Sequence, residues 1–219
     1  MIFIQKLSLS IITFLMFFSV GCKASTEQTA DPIKEKQSQK ELEELSVAYF
    51  ASGCFWCVEA IFEAVQGVEE VVSGYSGGSP DDANYKAVSA GITDHAEAVA
   101  VYYNPKVIDY KTLLVVFFDS HDPTTLNRQG PDRGRQYRSA IFYNNPTEKE
   151  QAENYIDLLL SKKVYNKITT EVVALEAFYP AEDYHQDYKK KHPNDAYVKN
   201  VSNPRFETFK KKHPELLKK

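Results

Sequence analysis

From residue 45 to 51 the chain alternates into an apolar run, as a strand does, and at Gly53 the pattern changes period. Phe55, Val58, Ile61, Phe62 and Val65 recur at steps of three and four, which predicts a helix that Gly67 ends. A short strand over 68–73 follows, then a loop over 74–85 rich in Gly, Ser and Asp. Residues 96–105 predict a strand closed by a turn, 109–121 a helix, and 137–144 another strand. The segment 145–163 starts on a proline, is acidic in its first half and ends on lysines, as helix ends prefer. A strand over 170–180 and a helix over 181–193 complete the pattern. Strands and helices mixed in this way, with only short βαβ possibilities, predict an α+β two-layer domain. The run 122–136 shows no period. Loops of that length inside compact domains tend to serve function, so this one is expected to line a pocket.

Both ends depart from this pattern. Residues 1–22, "MIFIQKLSLSIITFLMFFSVGC", carry one lysine, then an apolar run over 7–20, then small residues ending at Cys22. The run is shorter than the ~20 residues of a spanning helix and has the layout of a signal peptide, placed at 1–21. Ser19-Val20-Gly21-Cys22 resembles the lipobox of bacterial lipoproteins, with Ser where Leu is commoner. That predicts lipidation at Cys22 and a membrane-anchored lipoprotein outside the cytoplasm. Ordinary secretion or an uncleaved anchor is the alternative. Residues 22–44 have almost nothing to bury and read as a disordered tether. The folded domain is expected over 45–193, with 194–219 as a basic extension.

From residue 189 onward there are ten Lys/Arg against three Asp/Glu, so this end carries +7 and the rest of the chain −11. A solvated helical tail accounts for that; contact with an anionic membrane surface is the sharper alternative. The net charge of −4 gives no reason to expect nucleic-acid binding, and a monomer is expected.

The chemistry concentrates in "GCFWC" at 53–57, which holds two of the three cysteines and the only tryptophan. Cys54 falls where strand gives way to helix. Unpaired N–H groups and the positive end of the helix dipole there favour a thiolate. Cys57 is one turn on, on the same face, within disulfide reach if the first turn adjusts. One thiol attacking and a second resolving is a redox cycle. A permanent disulfide would close too short a loop to constrain the unfolded chain much. Zinc is a third possibility, because "HAE" at 95–97 with C-x-x-C is similar to a deaminase signature. The order is reversed here, and Gly53 stands where that signature has proline. A thioredoxin-like dithiol would have Gly-Pro or similar between the cysteines, where this chain has Phe55 and Trp56.

"GCFWCVEAIFEAVQGVEEVVSGYSGG" resembles the heart of the A-type peptide methionine sulfoxide reductases, whose hallmark is Gly-Cys-Phe-Trp. The likeness continues through "NYKAVSAGITDHAEAVAVYYNP", "FFDSHDPTTLNRQGPDRGRQYRSAIF" and "FYPAEDYHQDY", covering about residues 46–190 in the family's order. The resemblance implies a two-layer α/β sandwich around a mixed sheet with a ferredoxin-like core. It implies Cys54 as nucleophile, Phe55 and Trp56 holding the substrate methyl, and Glu97 binding and protonating the sulfoxide oxygen. It further implies Tyr85 and Tyr137 assisting Glu97, with Asp132 in the same pocket. Many relatives carry resolving cysteines near a Gly-rich C-terminus; this chain has none there, so Cys57 is the candidate to resolve.

On this resemblance the protein reduces methionine S-sulfoxide, free or in proteins, through a sulfenic acid on Cys54. A thioredoxin-like dithiol resets the disulfide, with no metal and no cofactor. A thioredoxin-like oxidoreductase and a zinc-binding domain remain as alternatives. His95, His121 and His185 have no second ligand at metal spacing and are expected in surface or hydrogen-bonding roles.

Overall fold

The computed structural model describes residues 44–219; the expected signal peptide, Cys22 and the tether up to residue 43 lie outside the described residues. The first change of period becomes β1 (Ser46–Ser52) and α1 (Phe55–Glu63), followed by β2 (Val68–Ser76). A short helix, α2 (Tyr85–Ser89), precedes β3 (Ala96–Tyr103) and α3 (Tyr110–Asp119). The run 122–136 is partly regular, with a hairpin of β4 (Arg128–Gln129) and β5 (Asp132–Arg133). Then come β6 (Ser139–Tyr143), α4 (Pro146–Ser161), β7 (Glu171–Ala174) and β8 (Phe178–Pro180). The chain closes with α5 (Tyr188–Lys191), a π-helical turn over Val198–Ser202, and α6 (Asn203–Lys212). Helix starts are capped by side chains: Asn84, Asp109 and Asn145 each accept an N–H from the first turn of α2, α3 and α4.

The main sheet has the order β7-β6-β1-β3-β2-β8. Strands β1 and β2 are both antiparallel to β3, so they are parallel to each other with β3 between them. Strands β3 and β6 flank β1 in the same way. Two interlocked split βαβ units in the order β6-β1-β3-β2 make a ferredoxin-like core, with β7 parallel to β6 at one edge. The expected α+β fold with a mixed sheet is the fold observed.

Side-chain parity sorts the two faces. Ala48, Phe50, Val99, Val101 and Ile141 lie with the buried faces of α1 and α3 in one core, where Phe62, Phe50 and Phe117 stack at 5.2 Å between ring centroids. Each such buried aromatic contributes about 1.5–3 kcal/mol by leaving water. The helical positions read from the sequence, Phe55, Val58, Ile61, Phe62 and Val65, are all buried here.

The strand expected over 170–180 is two strands on opposite edges. A flat six-stranded sheet would set its edges ~24 Å apart at ~4.8 Å per strand. Residues 174–178 reach at most ~14 Å. The sheet therefore curls. Its inner face carries Ala51, Ala96, Ala98 and Ala140, small enough for Leu175 and Phe178 to pack across it. The helix expected over 181–193 is likewise broken, into a 3-10 turn over Asp183–His185 and α5, separated by Asp187 at φ 54.

The basic end is helical but not a free tail. Val198, Ser202 and Phe209 are buried in it, Lys212 and His213 pair with Asp119 of α3, and Leu217 bridges to Val65. A boundary at 193 thus cuts through a packed unit. The long C-terminal contacts are invisible to a periodicity argument, which sees only the lysines.

Candidate active site

Residue 53 must leave β1 sharply, and Gly53 does so at φ 91. A Cβ there would sit 2.6 Å from the Gln129 side chain and meet left-handed strain as well. Cys54 follows as the N-cap of α1, 6% exposed, with Cys57 one turn further in at 2%. The antiparallel register pairs Ser46 with Tyr103 and Phe50 with Val99; two more places put Ser52 opposite Glu97. Alternation along β3 gives Glu97 the same face as Val99 and Val101, beneath α1. The acid and the cysteine are therefore delivered to one spot by adjacent strands.

Glu97 is 2% exposed, and its Oε2 accepts the Phe55 N–H at 3.0 Å. Burial pushes its carboxyl up to about 8, helped by the charges of Asp132 and Cys57, so it holds its proton at neutral pH. Tyr85 and Tyr137 each feel Glu97 and Cys54, and burial raises both phenols. Among the described residues, neither hydroxyl has a protein hydrogen-bond partner, so both are available to an incoming oxygen. Asp132 on β5 accepts from the Tyr197 hydroxyl at 2.5 Å. The aperiodic run thus brings Asp132, and through its last turn Tyr137, to the site.

Burial raises the Cys54 thiol well above its ordinary value, with the neighbouring Cys57 and Glu97 adding to the shift. Cys57 is pulled down to about 6 by the hydrogen bond from Cys54, with Arg205 and Ser202 assisting. Ser202 Oγ lies 2.7 Å from Cys57 Sγ. The low-pKa Cys54 expected from its position is opposed by its surroundings, because burial raises this thiol. The helix start does not offset this, since the first free amide of α1 is spent on Glu97 rather than on sulfur.

Phe55 is fully buried, against Tyr75 and His185. Trp56 is part-exposed, stacked on Tyr188 at 3.6 Å with Tyr197 edge-on at 6.0 Å, and its indole N–H donates to His185 Nδ1 at 3.1 Å. These rings form an apolar wall beside Cys54. The family described as peptide methionine sulfoxide reductase matches this chain over residues 46–217. The chain belongs to that family. Its chemistry is thiol-dependent reduction of methionine sulfoxide, which displaces the thioredoxin-like and zinc alternatives.

Among curated relatives of this reductase, peptide methionine sulfoxide reductase MsrA 2 of Synechocystis sp. is 49% identical over 173 residues, covering 78% of this chain and 81% of its own. MsrA of Natronomonas pharaonis is also 49% identical over 173 residues, covering 78% of this chain and 97% of its own. Among solved structures, reduced Mxr1 from Saccharomyces cerevisiae superposes with a TM-score of 0.64 at 35% identity, covering 70% of this chain and 88% of that one. Methionine sulfoxide reductase A of Corynebacterium diphtheriae gives 0.62 at 34%, covering 69% and 77%.

The reductase keeps its three central histidines in structural bonds. His95 Nε2 lies 2.8 Å from the Ser79 carbonyl, His121 bridges the Phe117 carbonyl and Ser139, and His185 accepts from Trp56. His95 and His185 are buried and His121 is half-buried. Four site residues escaped the sequence: Tyr188, Tyr197, Ser202 and Arg205. Tyr188 lies in the quoted "HQDY" run but carried no assigned part; the other three belong to the presumed tail.

Proposed function

We propose that this reductase takes the S epimer of methionine sulfoxide, with Cys54 as nucleophile, Glu97 as general acid, and Tyr85 and Tyr137 holding the oxygen. The observation that carries the reading is a buried, protonated carboxyl on the strand beside the cysteine, ringed by unengaged phenols. A sulfoxide sulfur is electrophilic only as its oxygen is protonated, and a positioned acid contributes ~10²–10⁴-fold. Phe55 and Trp56 hold the methyl group, with Trp56 offering the accessible face. Asp132 keeps the Tyr197 hydroxyl oriented at the pocket. Cys54 becomes a sulfenic acid, Cys57 displaces water from it, and a thioredoxin-like dithiol reopens the disulfide. Free and peptide-bound sulfoxide share the group that these side chains address.

Purified protein with dithiothreitol should reduce the S epimer and leave the R epimer untouched; turnover of the R epimer would overturn the assignment. In the same assay Cys57→Ser should release about one methionine per enzyme and then stall with thioredoxin. Continued thioredoxin-driven cycling at the normal rate would place resolution on another thiol.

We further propose an exported lipoprotein, on the strength of the apolar run over 7–20 and its Ser-Val-Gly-Cys ending. Lipid on Cys22 would hold the domain on the extracytoplasmic side of a membrane, with the polar tether between them. Cys22→Ala should then move the protein from the membrane fraction to the soluble one. A wild-type chain that is already soluble would end this part of the proposal.

A further inference from the structure

Trp56 is held by two rings from a single short stretch of chain. Tyr188 stacks on it at 3.6 Å between centroids with the planes 8° apart, and His185 Nδ1 accepts its indole N–H at 3.1 Å. Neither residue sits on an element long enough to place it. His185 ends a 3-10 turn and Tyr188 begins α5, a helix of four residues. The placement therefore falls to whatever anchors the two residues between them, Gln186 and Asp187.

Gln186 is anchored through its side chain. Pairing of β2 with β8 stops at Gly74 and Pro180, and the Gln186 amide continues the ladder one residue further. Its Oε1 accepts the Ser73 N–H at 2.8 Å, and its Nε2 donates to the carbonyls of Ser73 at 3.0 Å and Ala181 at 2.9 Å. Asp187 is anchored through its backbone. It stands at φ 54, a left-handed conformation that a side chain holds only where its surroundings impose it. Its N–H donates to Glu59 Oε1 at 2.9 Å. Glu59 follows Trp56 by three positions on α1, so the two share a face of the helix. The indole and the carboxyl thus hold consecutive residues, Tyr188 and Asp187.

A carboxyl in that place is costly. Glu59 is 2% exposed, and burial pushes it up to about 7 against the Asp187 amide bond, with the charges of Glu63 and Asp187 adding to the rise. The lysines that follow, Lys190 and Lys191, pair with the Asp187 carboxylate instead, at 3.6 and 3.5 Å. Sulfoxide reduction has no step for this acid. A leucine would fill the space without the desolvation, so what the carboxyl supplies is an acceptor.

We propose that Glu59 is a positioning residue for the methyl-holding wall: by accepting the Asp187 N–H it fixes the left-handed turn that keeps His185 and Tyr188 on Trp56. The inference rests on the proposed role of Trp56 in holding the substrate methyl group. Acting through Asp187 and Tyr188, Glu59 governs how tightly the sulfoxide is held and not how fast it reacts.

Trp56 is the only tryptophan of the chain, so its emission reports on this clamp directly. Glu59→Leu leaves the Asp187 N–H without its acceptor. In single-turnover methionine release the half-saturating sulfoxide concentration should rise about tenfold. The saturated rate should stay within about twofold of wild type. Trp56 emission should move to longer wavelength and quench more readily with acrylamide. Glu59→Gln keeps a carbonyl for the amide and should return all of these readings to wild type. Should the leucine variant not fold, Glu59→Ala, which admits water to the amide, is read in the same way. Unmoved emission and half-saturation in Glu59→Leu or Glu59→Ala would overturn the inference, as would a glutamine variant impaired like the leucine one. A saturated rate falling as far as in Glu97→Gln would also overturn it. Trp56→Ala separates the two readings. If it leaves half-saturation unchanged, the methyl-holding role of Trp56 fails; if it raises half-saturation and Glu59→Leu does not, the duty of Glu59 alone falls.

Discussion

Replacing Cys54 with serine is expected to reduce single-turnover methionine release by more than roughly 10⁴-fold, to the background rate. The substitution is nearly isosteric, so α1 keeps its N-cap and the Phe55 amide keeps Glu97. What is lost is a polarisable atom able to accept the sulfoxide oxygen. A serine hydroxyl is far less acidic than a thiol and cannot give a stable sulfenic equivalent. Cys57 cannot stand in, because it lies one turn deeper at 2% exposure, with its sulfur turned to Ser202. The measurement is methionine released per enzyme in the absence of reductant, with circular dichroism confirming the fold. Release approaching one equivalent at the native rate would transfer the attack to Cys57.

Strand parity explains why part of this site was readable in the chain. The turn from β1 to α1 shows in the shift of period at Gly53, and alternation along 96–103 separates the alanines from Glu97, Val99 and Val101. Those patterns are local. The contacts that set the surroundings of the cysteine pair are not: Phe55 N–H meets Glu97 across 42 positions, and Cys57 meets Ser202 across 145. A dipole argument counts free amides at a helix start but cannot know which carboxylate will claim one. Lysine-rich composition hid Phe209 and Arg205 equally, since an amphipathic helix with one buried aromatic and a solvated cationic end has the average look of a tail. The sheet edges failed for a different reason. Residues 170–180 are strand-like throughout, and only the curl of the sheet, set by alanines on three separate strands, makes β7 and β8 two strands.

Glu97→Gln is the second large effect, an expected ~10²–10⁴-fold loss in the chemical step with substrate binding mostly kept. A glutamine carbonyl can still accept the Phe55 amide, and its NH₂ can still donate to a sulfoxide oxygen, so the ground-state complex survives. The amide cannot transfer a proton, and that transfer makes the sulfur electrophilic. The sign of the pH dependence follows from which form works. Burial holds the carboxyl protonated below about 8, so wild-type single-turnover rates should be sustained below that pH and fall as pH rises through it. In Glu97→Gln the alkaline fall should disappear, while the acid limb governed by the cysteine pair stays. Stopped-flow release of methionine between about pH 5 and about pH 10 separates these outcomes. An alkaline limb persisting in the glutamine variant would assign the acid to one of the phenols, and an undiminished rate at pH 7 would remove Glu97 from the chemistry.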